Sequence, residues 1–180
     1  MAATTIVAPA DWCHDGLQMQ ELAAGLVADA QAALAQTNDG CPADGMVVNG
    51  RPSADCCDAV ILEITGGFAS EVGRFPERAS IGSGGACNLG ANMTFTLHVL
   101  RPCQTVLRQN PKAPFPTAAE RNTEGLGFIA DWRALGQVWF PAACARLDAL
   151  HLSVIWGEAR AKSSQGGCGG LEWPFEVEMV

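Results

Sequence analysis

The last stretch of the chain, Trp173-Pro174-Phe175-Glu176-Val177-Glu178-Met179, changes polarity at nearly every step. Only an extended strand puts alternate residues on opposite faces. Trp173, Phe175, Val177 and Met179 therefore share one face, and Glu172, Glu176 and Glu178 the other. Four large apolar side chains in a row must be covered, so the fold has to supply a sheet with a core on one side. This strand is expected over Leu171–Val180. A second strand is expected over His151–Trp156. The Gly- and Ser-rich segment between them predicts a hairpin.

The rest of the chain must supply what packs on that face. Leu22, Leu26, Ala30 and Leu34 recur at four-residue spacing beside Ala23 and Val27, which predicts a helix over Leu17–Gln36 with Asp15 as N-cap. Thr37-Asn38-Asp39-Gly40 is a stop signal. Residues 40–55, rich in Gly, Pro, Asn and Asp, read as loop. Ala59–Thr65 is an apolar strand that Gly66-Gly67 is expected to end. A long loop to Gly90 then carries seven glycines together with Arg74, Phe75 and Arg78. Met93–Leu100 alternates again, with Thr94, Thr96 and His98 on the polar face. Prolines at 111, 114 and 116 mark a linker. Thr117-Ala118-Ala119-Glu120 is a capping box that opens a helix through Ile129, Trp132 and Leu135. Pro141 either kinks this helix or begins another, and the helical stretch ends near Leu150. The expected fold is α+β: a mainly antiparallel sheet with an N-terminal helix and a second helical stretch packed on it. It forms one domain over residues 1–180, with residues 1–14 as an irregular arm.

Composition narrows the function. Apolar residues make up 48% and charged residues 17% of the chain, which argues against disorder and fits a surface partly covered by neighbouring subunits. The formal net charge is −8 and no Lys/Arg run occurs, so gripping a nucleic-acid backbone is not expected. No stretch reaches the roughly 20 apolar residues of a membrane span, and Met1–Ala10 lacks a signal peptide's basic start. The eight cysteines are scattered, with Cys56-Cys57 the only close pair. That is poor spacing for structural zinc, and it leaves both disulfides and buried thiols open. His98 and His151, both in expected strands, allow a Cys–His site on paper, but no nucleophile signature accompanies them. Gly82-Ser83-Gly84-Gly85 lacks the Lys-Ser/Thr end of a phosphate loop. No catalytic residue and no cofactor is expected. Trp132 and Trp139 are divided between core and subunit interface, where aromatic residues concentrate.

The ending Gln165-Gly166-Gly167-Cys168-Gly169-Gly170-Leu171-Glu172-Trp173 and the run Cys56-Cys57-Asp58 resemble those of small head–tail junction proteins of siphophages infecting actinobacteria. The order of elements over residues 17–180 is similar to that of phage tail terminators. The resemblance implies a structural virion protein, not an enzyme. It implies a homo-hexameric ring, assembled in the host cytoplasm, that caps the major tail tube protein at the head–tail junction. One face of such a ring meets the tube and the other a head connector or stopper protein, while DNA passes through the lumen without specific binding. On this reading Arg74, Phe75, Arg78, Trp132, Trp139, Arg160 and Lys162 are expected at subunit or tube interfaces, and Glu172, Glu176 and Glu178 on the lumen face. The alternative within the structural class is a head-side connector or stopper ring. Outside it, the alternatives are a small cysteine-dependent enzyme or a zinc-binding module.

Overall fold

The computed structural model describes residues 12–52, 58–71, 74–78, 89–102, 117–165 and 168–179. Its elements are α1 (Trp12–Leu34), β1 (Asp44–Asn49), β2 (Ala59–Glu71), β3 (Leu89–Pro102), α2 (Ala118–Ala134), α3 (Phe140–Ala149), β4 (Val154–Trp156), β5 (Arg160–Gln165) and β6 (Cys168–Met179). A single π-helical turn, Leu135–Trp139, joins α2 to α3. The fold is α+β, with an N-terminal helix and a second helical stretch.

The closing strand organises the sheet. Strand order is β1-β2-β3-β6-β4, and β5 also pairs with β6. β6 thus lies between β3 on one side and the two short strands β4 and β5 on the other. Its apolar face is buried as the alternation requires: Phe175 and Val177 join Phe95, Leu97 and Val99 of β3 and Val60 and Leu62 of β2 in the main core. Leu22, Leu26, Ala30 and Leu34 of α1 cover them, together with Ala143 and Leu147 of α3. Trp139 fills the centre. It is fully buried, and its indole N–H donates to the Leu26 carbonyl at 3.0 Å. A smaller cluster of Ala59, Ile61 and Leu100, flanked by Met46 and Val48, lies on the opposite face, where no described helix packs.

Several expected boundaries move. α1 begins at Trp12, so residues 12–14 are helical and Asp15 lies inside the helix instead of capping it. Residues 44–49, expected as loop, form β1, which pairs with β2 in parallel, while the other pairings are antiparallel. Gly66-Gly67 does not end β2. The strand absorbs the interruption as a bulge between Ile64 and Gly66 and continues to Glu71. The expected 66–90 loop is therefore strand at both ends, and residues 72–73 and 79–88 lie outside the described residues. The segment joining the last two expected strands contains β5, so the hairpin partner of β6 there is β5. His151 is not in a strand. It takes a left-handed φ of 57° in the turn that ends α3.

One part of the Gly-Cys ending has a local explanation. A Cβ at Gly170 would overlap the Val99 carbonyl oxygen, so β6 and β3 need glycine to approach closely there. Cys168, two residues before it, is disulfide-bonded.

Candidate functional site: an outward apolar helix and a polar cleft

The capping box forms as its sequence signature requires. The Thr117 hydroxyl accepts from the Glu120 amide at 3.2 Å, and the Glu120 carboxylate accepts from the Thr117 amide at 2.6 Å. Hydrogen bonding to Thr117, from its backbone amide first and its side chain second, holds the Glu120 carboxyl below the usual range. The helix that this box opens has an unusual polarity. Only Asp131 is buried in α2, while Leu126, Ile129 and Trp132 are 57%, 63% and 43% exposed. Phe128 packs inward against the core, while the outward side, among exposed Arg121, Asn122 and Arg133, also presents those three large apolar residues, which a surface helix ordinarily turns inward.

A polar anchor adds to the packing of Phe128. Asp131 receives a bidentate pair from Arg101 of β3, Nε to Oδ2 at 2.9 Å and Nη2 to Oδ1 at 3.0 Å. The same guanidinium donates to the Gly40 carbonyl at 2.8 Å, so α2, the turn that follows α1 and the sheet are tied at one point. Burial works against the Arg101 charge. The Asp131 hydrogen bonds and charge outweigh it and hold the guanidinium above its ordinary range. Gly127 allows the close approach, since a Cβ there would overlap the Asp39 carboxylate.

The π turn sets which tryptophan goes where. Asp131, Leu135, Trp139, Ala143 and Leu147 are all buried at four-residue spacing. In a uniform α-helix each four-residue step overshoots the 3.6-residue turn by about 40°, so four steps would carry this line about 160° round the axis. The wider i→i+5 turn, closed by the Phe140 amide on the Leu135 carbonyl, takes back part of that rotation. It sits immediately before Pro141, which has no N–H to continue the α pattern. Trp139 was a candidate interface residue. Its complete burial in this chain's own core corrects that assignment, and Trp132 alone of the pair is outward.

The second feature is on the helix-free face. Pairing of β2, β3 and β6 places Glu63 diagonally from His98, and Glu172 directly opposite it. His98 Nε2 lies 2.7 Å from the Glu63 carboxylate, and Lys162 Nζ lies 3.3 Å from Nδ1. Lys162 also pairs with Glu172 at 3.1 Å. With Lys162 as donor, Nδ1 is the acceptor and the imidazole proton is on Nε2, donated to Glu63. Burial is the largest influence on His98 and lowers its pKa. The Glu63 hydrogen bond opposes that, the Lys162 charge lowers it further, and the balance falls below the ordinary imidazole value. A cleft of about 850 Å³ opens above this row, lined in part by Arg51, Arg160, Lys162, Glu63, His98 and Glu172.

The expected site residues other than Trp139 fall in three places. Phe75 and Arg78 fold back on the far end of β2, where Phe75 stacks on Phe68 at 6.5 Å and the Arg78 guanidinium lies 5.0 Å over the Phe68 ring. Arg74 is exposed beside them. Trp132 is on α2. Arg160 and Lys162, expected in a loop, are on β5. Glu172 is not a bare lumen carboxylate, because it is half-buried and held by Lys162. Glu176 and Glu178 share its face and are half-buried. Sequence reading missed Glu63 and Asp131, which among the described residues hold the buried His98 and Arg101 side chains. A charged residue inside the apolar run Ala59-Val60-Ile61-Leu62-Glu63-Ile64 was the available signal for the first.

No known protein family matches the chain, and no curated protein matches it in sequence.

Proposed function

We propose that the chain is a ring-forming structural subunit of the tail-terminator type, which associates through the outward face of α2. The observation that carries the reading is the exposed apolar stripe on that helix. Leu126, Ile129 and Trp132 point away from the chain's own core, while an ion pair with Arg101 fixes the helix in that orientation. An apolar stripe with a tryptophan in it is the composition of a buried interface patch. Anchoring it by hydrogen bonds makes it rigid before a partner arrives, which lowers the ordering penalty on association. Open sheet edges add to this. Among the described residues β1 has a strand neighbour on one side only, and Val47 on it is exposed. Ring closure is one way to cover such edges.

The order of elements, and an acidic chain with no basic run, agree with a ring at the head–tail junction of a virion through which DNA slides. No helix among the described residues is long and apolar enough to cross a membrane. Negative-stain imaging of the purified protein tests the reading. Sixfold rings that seat on the ends of tail tubes and stop their elongation are expected. A twelvefold ring that binds the portal instead would assign the chain to the head side of the neck.

A further inference from the structure

We propose that the cleft on the helix-free face binds an acidic peptide segment, with Arg51 and Arg160 taking its carboxylates at the mouth and Lys162 behind them. The chain has 11 Lys and Arg residues against 19 Asp and Glu. Three of those scarce cations line this one cleft. Arg51 and Arg160 are exposed, and neither side chain makes a hydrogen bond or ion pair with another described residue. Both are placed by backbone geometry. Gly50, at a left-handed φ of 86°, donates its amide to the Ile64 carbonyl and turns the chain after β1, so that Arg51 and Pro52 line the cleft. Arg160 opens β5 directly opposite Glu172.

The floor of the cleft holds Lys162 in position. Two of its three ammonium donors go to His98 Nδ1 and Glu172, which leaves one for a ligand. The Lys162–Glu172 pair also shows that the cleft accommodates a carboxylate. Carboxylates fit better than phosphate for a further reason. Glu63 and Glu172 line the same cleft, so a compact dianion meets two like charges, whereas singly charged groups spaced along a peptide can engage the two guanidinium forks separately. The site does not depend on the ring reading.

The test is fluorescence anisotropy with a fluorescein-labelled hexaglutamate peptide at low salt. Saturable binding is expected, weakened at least tenfold in the Arg51→Ala/Arg160→Ala double variant. Because both side chains are exposed and hold no described partner, that variant should melt at the wild-type temperature. A hexaglutamine peptide should not bind, and inorganic phosphate at the same concentration should not displace hexaglutamate. Absent saturable binding, equal affinity in the double variant, equal binding of hexaglutamine, or displacement by phosphate would each overturn the proposal.

Discussion

At the scale of single residues, His98 is the most informative side chain. It is almost fully buried between an acid and a base, and its pKa is depressed, so it is neutral near pH 7. A histidine with a depressed folded pKa contributes stability that is present above its unfolded value of 6.5 and is lost as pH falls through the lower folded value. The wild-type melting temperature should therefore drop faster below pH 6.5 than that of His98→Gln. Glutamine can still donate to Glu63 and accept from Lys162, but does not titrate. Parallel pH profiles in calorimetry would show that His98 is not the titrating group. This contact was invisible in the sequence for a physical reason. Glu63 and His98 are 35 residues apart, and only the β2–β3 register, including its bulge, brings them together. The alternation in β3 correctly placed His98 with Thr94 and Thr96. It gave no reason to expect that face to be buried there.

At the scale of elements, α2 is held by a buried ion pair together with Phe128 packed on the core, where most helices are held by a full apolar stripe. Arg101 and Asp131 retain 15% and 3% of their side-chain exposure, so removing either partner leaves a charge stranded in a poorly solvated place. Asp131→Ala should destabilise the protein by about 3–5 kcal/mol, measured by urea unfolding, and should loosen α2 selectively in hydrogen exchange. A loss below about 1 kcal/mol, the range of exposed pairs, would mean that the pair does not anchor the helix. Legibility at this scale follows periodicity. β6, β3 and α1 were readable because their apolar spacing runs unbroken through the core face. The α2 start was readable because its capping box is local chemistry. β1 was missed because Asp44-Gly45-Met46-Val47-Val48-Asn49 is short, flanked by turn residues and paired in parallel with a strand whose register the sequence does not announce. The division of labour between Trp132 and Trp139 was also hidden. Residues seven apart lie within about 20° on an α-helix, so both tryptophans belonged to one face until the π turn separated them.

At the scale of the whole molecule, one sheet face is packed under α1 and α3, and the other carries an apolar patch at the β1 end and a cationic cleft. α2 stands on the helical side with its apolar residues outward. Such a molecule covers its core with its own helices and still presents Leu126, Ile129 and Trp132 to solvent, which is the main reason to read it as a part of something larger. On the proposed ring reading, its acid excess and scarce cations suit a lumen through which DNA passes without adhering. The most direct test of assembly through α2 is native mass spectrometry of the wild type beside the Ile129→Glu/Trp132→Ser variant. The wild type should appear as one discrete oligomer, six copies on the ring reading, and the variant as a monomer with an unchanged melting temperature. A wild-type protein that stays monomeric at tens of micromolar, or a variant that assembles as the wild type does, would contradict it.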